Sequence, residues 1–314
     1  MTYHTRYPTL LLLAAALGLA GCTTTQWEQD AIAIQKIDTH IHLYDTGRPG
    51  GVDWPPPSDK VLFRPLLPEH FDALSKAEGI AAAIVVEASS RVEDNQWVLD
   101  QVKHDPQRYV GVVGSLPIGT DAFANLLDRF SADPRYKGIR MRSRPGGDAF
   151  FEDAAVWRDL KLLADKGLCL DILLANFSLD EVTLVAKRFP HLKILVNHVT
   201  GLSITGRPAE ASWTASVKRV AAQPNVFCKV SGIFERTGKM PAPKALSYYA
   251  PTFDVVYEAF GENRIIYGSN WPVSMRGGEY AEQFDIIHAF FAPKGARVTR
   301  KLYRENAVRF YGLD

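Results

Sequence analysis

The 314-residue sequence has few cysteines and almost no net charge. It contains three cysteines, and its 36 basic and 35 acidic residues leave a formal net charge of +1. Because there is no basic surplus to neutralise phosphates, the composition argues against nucleic acid as a partner. Cys169 and Cys228 stand inside separate apolar runs, where buried packing is the expected role. A disulfide between them would require adjacent, correctly oriented strands.

The apolar run near the N-terminus is too short to cross a bilayer as a stable helix. Residues 10–20 are apolar, follow Arg6 and end in small side chains, which is typical of an export signal. The next residues, 19–22, read Leu-Ala-Gly-Cys and resemble a bacterial lipobox, which predicts lipidation of Cys22 after cleavage. An ordinary secretory signal cut near Gly21 is the alternative.

These features predict the organisation of the N-terminal segment. Residues 1–22 are expected to be a lipoprotein signal, and residues 23–35 a polar tether. Thr23, directly after the cysteine, resembles the sorting signal for the outer membrane. We therefore expect a protein that is anchored to the cell envelope by lipid and faces the periplasm.

No glycine-rich phosphate loop follows the first predicted strand, and this argues against an open doubly wound sheet. Instead the strand, residues 36–42, ends in two histidines separated by one residue. Side chains alternate between the faces of a strand, so Asp38, His40 and His42 share one face. The alternative interpretation is a surface strand with two incidental histidines.

Apolar strands alternate with helices along the rest of the chain. This pattern predicts an α/β fold of the (β/α)8 TIM-barrel type, as a single domain over residues 36–314. The predicted strands are 36–42, 80–87, 109–115, 137–142, 168–174, 192–198, 226–231 and 264–269, and the predicted helices are 68–78, 94–104, 121–131, 153–166, 179–189, 212–222, 252–260, 279–291 and 298–311. A long loop rich in glycine and proline, residues 47–57, is expected to cover the end of the histidine strand as a lid.

Polar residues end several of these strands, where the chemistry of a barrel gathers. Glu87 ends an apolar run and needs a partner, which is either a functional group or a structural salt bridge. Arg140 and Arg142 lie on one side of their strand; an anion such as a substrate carboxylate would join them, or they pair with acidic side chains of the scaffold. His198 is either a ligand or a satisfied buried histidine. Lys229 also ends a strand.

These motifs resemble the amidohydrolase superfamily, in particular the amidohydrolase-2 branch that contains lactonases such as L-fuconolactonase and pyrone-dicarboxylate lactonase. The matching segments are residues 37–42, 138–140, 197–198, 228–232, 267–273 and 305–307. The resemblance extends from about Lys36 to the C-terminus. It implies a (β/α)8 barrel with a hydrolytic site, in which His40, His42 and His198 act as metal or carbonyl-polarising ligands.

Asn270 departs from the family pattern, which is Gly-Ser-Asp-Trp-Pro at this point. In the family the aspartate orients and deprotonates the attacking water, and an amide cannot accept that proton near neutral pH. In addition, no histidine or lysine ends the strand 168–174, where two-metal members keep a ligand. The expectation is therefore one divalent metal, Zn or Mn, held by the three histidines with an open position for water, or a site that works without metal.

The leading hypothesis is a hydrolase that opens a lactone or similar cyclic ester carrying an acidic group. The predicted catalytic residues are Glu87 as base, His198 and Asn270, and the residues predicted to position the acidic group are Arg140, Arg142 and Lys229. Two alternatives remain. One is a metal-dependent decarboxylase of the same branch, and the other is a binding lipoprotein that lost catalysis with the aspartate.

Overall fold

The computed structural model describes residues 34–145 and 147–313, so the predicted signal, Cys22 and most of the predicted tether lie outside the described residues. Eight strands form one parallel sheet in the order β1 to β8. They are β1 Lys36–Ile41, β2 Ile80–Val86, β3 Tyr109–Gly114, β4 Tyr136–Met141, β5 Cys169–Ile172, β6 Lys193–Val196, β7 Val226–Val230 and β8 Ile265–Tyr267.

Helices connect successive strands, as the predicted alternation requires. The α-helices are Pro68–Ser75, Val92–Val102, Phe123–Ser131, Ala154–Asp165, Leu179–Arg188, Ala211–Ala221, Ala250–Phe260, Tyr280–Phe291, Ala296–Arg300 and Asn306–Tyr311. The last predicted helix differs from expectation, because a π-helical segment, Lys301–Glu305, divides it. The predicted barrel type is otherwise confirmed among the described residues.

The seam between β8 and β1 is shorter than the other strand pairings. A parallel bridge joins Ile41 to Trp271, and the backbone N–H of His42 donates to the Trp271 carbonyl at 2.8 Å. The N–H of Asn270 donates to the carbonyl of His40 at the same distance. The seam therefore brings the two histidines of β1 beside Asn270.

Local sequence explains where several elements begin and approach one another. Ser178 and Glu181 form a reciprocal capping box at the start of their helix. Gly138 lies where β4 meets β5, and a Cβ there would come within 2.1 Å of the Cys169 carbonyl oxygen. The glycine of the motif at 138–140 is thus required for strand pairing, and the register it permits aligns Arg140 with Asp171.

The helix Asn306–Tyr311 closes the end of the barrel at which the strands begin. Phe310 and Tyr311 pack with Ile37 and other residues that face the barrel interior, and the hydroxyl of Tyr311 donates to Asp171 Oδ1 at 3.4 Å. Cys169 and Cys228 are buried free thiols, as predicted. None of the helices built from the described residues is both long and apolar enough to cross a membrane.

Candidate active site

Three histidines meet at the C-terminal end of the barrel. His40 and His42 lie at the end of β1, and His198 lies just after β6. The ring centroids of His40 and His42 are 5.0 Å apart, and those of His40 and His198 are 4.7 Å apart. All three side chains are buried. The structure therefore brings together the three histidines that the sequence singled out.

The hydrogen-bond partners of His40 determine its tautomer. Lys229 Nζ lies 2.8 Å from Asp171 Oδ2, 2.9 Å from the Thr39 carbonyl and 3.3 Å from His40 Nδ1. An ammonium group has three N–H donors and no acceptor, so Nδ1 of His40 is the accepting nitrogen. Burial, and then the positive charge of Lys229, hold the pKa of His40 well below its usual range. The ring is therefore neutral and carries its proton on Nε2.

The Nε2–H of His40 lies beside a second donor. Arg140 Nη1 is 3.4 Å from His40 Nε2. The Arg140 N–H is directed at Nε2, so an imidazole N–H and a guanidinium N–H face each other, and an acceptor placed beside them would relieve their repulsion. Such a pair of donors is suited to a carbonyl oxygen that gains negative charge during a reaction.

His42 is linked to a carboxylate through Asn270. His42 Nε2 lies 3.2 Å from Asn270 Oδ1, and Asn270 Nδ2 donates to Glu235 Oε1 at 3.0 Å. The other ring nitrogen, Nδ1, lies 2.9 Å from the Val86 carbonyl and donates to it. Burial, and then the charge of Arg140, lower the pKa of His42 to about 3, so the ring is neutral.

Glu235 is a buried carboxyl group with one unused oxygen. It lies in a short 3-10 helix, Glu235–Thr237, after β7. Its Oε2 is shielded from solvent and has no hydrogen-bond partner among the described residues. Burial raises the pKa of Glu235 to about 7, although the Asn270 amide favours the ionised form. Near neutral pH this carboxyl group therefore exists in both protonation states.

His198 is held by the backbone as well as by its ring contacts. Its Nδ1 lies 2.9 Å from the hydroxyl of Ser231. Residues His198, Val199 and Thr200 all have positive φ, which is unfavourable for a β-branched residue such as valine. Gly232 packs on the imidazole, and a Cβ there would lie 2.6 Å from Nδ1. Strain of this kind persists where the surrounding structure holds a side chain in place.

Glu87 forms an ion pair with Arg140. Its Oε1 accepts from Arg140 Nε at 2.6 Å and lies 3.5 Å from Arg142 Nε, and its backbone carbonyl accepts from Arg140 Nη2 at 2.8 Å. This is the salt bridge that the sequence left open as the alternative. The ion pair engages Oε1, while Oε2 is buried without a hydrogen-bond partner among the described residues, so the role of Glu87 as base stays a prediction. Arg142 is the more exposed of the two arginines.

Lys229 is occupied by contacts within the protein. Its side chain is fully buried inside the barrel, where it pairs with Asp171. Because its three donors already have acceptors, Lys229 does not reach a substrate group in this structure. That it positions an acidic group of the substrate stays a prediction, for which this structure offers no free donor. In this structure the lysine sets the tautomer of His40.

His40 does not fit a metal ion as it is arranged, whereas His42, whose Nδ1–H donates to the Val86 carbonyl, has the orientation of a metal ligand. A histidine that binds a metal through Nε2 donates its Nδ1–H to an acceptor, but Nδ1 of His40 faces the Lys229 ammonium group. Nε2 of the same ring faces a guanidinium group. Within residues 34–145 and 147–313, no three His, Cys, Asp or Glu side chains are grouped so that they could hold a metal ion. We therefore assign no catalytic step to a metal.

The loop between β1 and the first helix covers the site. Trp54 lies with its ring centroid 6.0 Å from that of His42. The loop is tied to the helix Val92–Val102 by an ion pair between Arg48 and Asp94. A second pair, 2.6 Å long, joins Asp53 to Arg91, the residue before that helix. The predicted loop thus packs against His42 and is tied to the helix Val92–Val102.

An open cleft adjoins His198 on the same end of the barrel. Its volume is about 610 Å³. Its lining includes Leu174, which follows β5, Thr200 and Gly201, which follow β6, and Arg207 and Trp213.

Sequence reasoning missed two carboxylates that shape the site. Asp171 interrupts the apolar strand β5, and a buried acidic residue inside an apolar run signals a paired charge. Glu235 lies a few residues after β7 in an irregular segment. No periodic pattern marks such a residue, so its only sequence signal is its place in a loop at the C-terminal face of a barrel.

Comparisons with known proteins agree with the fold. A family model described as Amidohydrolase matches residues 37–313. An L-fucono-1,5-lactonase from Burkholderia ambifaria is 30% identical over 288 residues, which are 89% of this chain and 96% of that protein. An L-fucono-1,5-lactonase from Burkholderia multivorans is 25% identical and covers 88% of this chain and 96% of its own. A structure of an amidohydrolase from Burkholderia multivorans with bound zinc has a TM-score of 0.76 at 24% identity, covering 89% of this chain and 99% of that one.

Proposed function

The chain belongs to the amidohydrolase family and is a hydrolase of lactones, and from this premise we propose that its substrate is the uncharged lactone of a sugar acid. The two related L-fucono-1,5-lactonases support this substrate class. The reaction adds water across the ring ester. The carbonyl C–O bond to the ring oxygen breaks, and the product is an open-chain hydroxy acid.

The observation that carries the proposal is the pairing of the cations at the strand ends. Arg140 is neutralised by Glu87, and Lys229 by Asp171. Of these three predicted substrate-positioning cations, Arg142 keeps a surplus positive charge, because it shares Glu87 at 3.5 Å. A substrate with two carboxylates would need more free cations than this. An uncharged lactone needs only donors for its carbonyl and hydroxyl groups.

The site residues supply those donors. We assign the lactone carbonyl oxygen to the pair formed by His40 Nε2–H and Arg140 Nη1, which would stabilise the oxyanion as water attacks. Because Lys229 fixes the tautomer of His40 before substrate binds, the donor needs no rearrangement during the reaction. Donors that are already oriented in a dry site typically contribute about 10²- to 10³-fold to the rate.

The pairing of Arg140 with Glu87 also bears on the two alternatives, a decarboxylase and a binding protein without catalysis. A decarboxylase would use a metal and free arginines on a substrate carboxylate, and here His40 is not oriented for a metal and Arg140 is paired with Glu87. A binding protein that has lost catalysis would hold the lactone without opening it. The assay below separates these possibilities.

The test is a lactone panel assayed by acid release, comparing L-fucono-1,5-lactone, other sugar-acid lactones and pyrone dicarboxylate. We expect turnover of at least one sugar-acid lactone and none of the dicarboxylate. His40→Gln should lower turnover strongly, whereas Glu258→Gln, at an exposed position on the helix Ala250–Phe260, should not. Preferred hydrolysis of the dicarboxylate would contradict the proposal. Tight lactone binding without turnover would indicate the binding protein, and release of carbon dioxide a decarboxylase.

We also propose that the protein is anchored in the cell envelope through a lipid on Cys22, facing the periplasm. The lipobox-like segment before this cysteine supports the proposal. Wild-type protein should incorporate palmitate, and Cys22→Ser should not. An unlabelled wild type that is recovered entirely in the soluble periplasmic fraction would reduce the segment to an ordinary secretory signal.

A further inference from the structure

The side-chain amide of Asn270 can form hydrogen bonds with Glu235 and His42 in only two orientations. Its amide has one donor end, Nδ2, and one acceptor end, Oδ1. In the structure Nδ2 donates to Glu235 and Oδ1 faces His42 Nε2. Turning the amide by half a rotation would exchange these contacts. The backbone of Asn270 is left-handed, with φ of 61°, and its side chain lies between Glu235 and His42.

The protonation state of Glu235 decides between the two orientations. An ionised carboxylate only accepts, so it requires the Nδ2 end of the amide, as observed. A protonated carboxyl group donates and so favours the Oδ1 end. In that second orientation Nδ2 donates to His42 Nε2 and occupies its lone pair.

The observed orientation leaves two acceptors next to each other. The proton of His42 is on Nδ1, because that nitrogen donates to the Val86 carbonyl. Its Nε2 therefore presents a lone pair 3.2 Å from the Asn270 carbonyl oxygen. Two adjacent lone pairs repel unless an O–H or N–H group comes between or beside them. Water supplies such a group.

We propose that Glu235 is a positioning residue for lactone hydrolysis: when ionised, it holds Asn270 with its carbonyl oxygen towards His42, and the two acceptors orient the attacking water. This proposal rests on the proposed function. It assigns to Glu235, acting through Asn270, the orientation of water that the family aspartate performs directly. When Glu235 is protonated, the amide turns and the acceptor pair is lost.

The charged and polar groups near Glu235 are mostly engaged with other partners. Arg276, from the segment after β8, is bound to Asp59, and the neighbouring Arg236 donates to the carbonyls of Gly201 and Leu202. Tyr249 also faces the carboxyl group and donates its hydroxyl to Pro243. Asn270 makes the only hydrogen bond to the Glu235 carboxylate among the side chains that the structure describes. With a pKa of about 7, Glu235 changes its protonation state in the neutral range.

The decisive measurement needs no substrate. In protein labelled with ¹⁵N-histidine, the Nε2 resonance of His42 is followed from pH 5 to 9 and assigned by its absence in His42→Asn. We expect one step near neutral pH in the wild type, as the Nε2 lone pair gains or loses the amide N–H. The step should vanish in Glu235→Gln, return in Glu235→Asp at a shifted pH, and remain unchanged in Glu258→Gln.

Kinetics then connect the step to catalysis. In the wild type, kcat/KM for the lactone should fall about tenfold per pH unit below the midpoint of the same step. Glu235→Gln should give a flat profile in this range, which a purely structural role would not produce. A wild type without the resonance step, or a step that survives in Glu235→Gln, would overturn the proposal. If the step is present but no sugar-acid lactone is hydrolysed, the proposed substrate class fails and the link between Glu235 and His42 stands.

Discussion

Lys229 and Asp171 form a 2.8 Å ion pair in which neither side chain is exposed to solvent. The pair lies between β5 and β7, and its ammonium group also reaches His40 across the barrel. It is thus part of the packing of the barrel interior and of the chemistry of the site. Substitution of either residue should therefore affect both the stability of the barrel and the activity of the site.

Lys229→Met should be strongly destabilising. It leaves the Asp171 carboxylate buried without its partner, and breaking one half of a buried pair typically costs about 3 to 5 kcal/mol. The free energy of unfolding, measured in urea, should recover in the double variant Lys229→Met/Asp171→Leu, although activity should not. Lys161→Met is the control, because it breaks an exposed pair with Asp165 that is worth less than about 1 kcal/mol. Equal losses of unfolding free energy in Lys229→Met and Lys161→Met would contradict a stabilising role for the buried ion pair.

Arg140 should matter more to catalysis than Glu87. Arg140→Lys removes a guanidinium N–H beside His40 Nε2, and loss of one such donor typically lowers kcat by about 10² to 10³. Glu87→Gln keeps an acceptor for Arg140 and should have a much smaller effect. Steady-state kinetics of both variants on one lactone decide the point. If Glu87→Gln lowers kcat by 10² or more with unchanged KM, Glu87 is the base after all.

Asn270→Asp should lower activity. The new carboxylate would lie about 3 Å from that of Glu235, and two such close carboxyl groups retain a shared proton. We expect kcat/KM at pH 7 to fall about tenfold or more, with the midpoint of its pH profile moved to higher pH. A large increase in hydrolysis would instead identify the wild type as a lactonase that lost its base.

The stability of the protein should depend on pH through Glu235. Its pKa is raised in the fold from an ordinary 4.5 to about 7, so the native state binds this proton more tightly than the unfolded chain. The resulting stability is complete below pH 4.5 and is lost as the pH rises through 7, by roughly 3 kcal/mol relative to Glu235→Gln. Urea denaturation of both proteins at pH 5 and pH 8 measures it. If the free energy of unfolding changed equally between pH 5 and pH 8 in the wild type and in Glu235→Gln, Glu235 would have an ordinary pKa in the fold.

Removal of divalent metals by a chelator should leave the rate of lactone hydrolysis unchanged. Nδ1 of His40 faces a cation and not an acceptor, so this ring is poorly prepared to bind a metal. Protein dialysed against EDTA should retain its kcat, and metal analysis should find less than one equivalent of zinc or manganese. Loss of activity that is restored by stoichiometric metal would show that hydrolysis depends on a metal and contradict this expectation.

Much of the fold could be predicted from the sequence because it depends on local patterns. Apolar strands of similar length, separated by helices with glycine or proline at their ends, lead to a barrel whatever the interior charges are. The position of His40, His42, Arg140 and His198 followed from the same argument, since all of them end strands. The division of the last helix by Lys301–Glu305 had no comparable signal.

The partners of the charged residues could not be predicted in the same way. Glu87 and Arg140 are 53 residues apart in sequence, and only the curvature of the sheet brings them together. Lys229 was expected to face a substrate because it lies near a strand end, but the barrel interior opposite it contains Asp171. Glu235 belongs to a short irregular segment, where position depends on tertiary packing and not on a repeating pattern.

Tyr311 connects the closed end of the barrel to the chemistry at the other end. Its hydroxyl reaches Asp171, which holds Lys229, which in turn sets the tautomer of His40. The docked helix Asn306–Tyr311 thus supplies one of the hydrogen bonds that hold Asp171 beside Lys229. A substitution at the closed end of the barrel, such as Tyr311→Phe, therefore changes the surroundings of an imidazole at the opposite end.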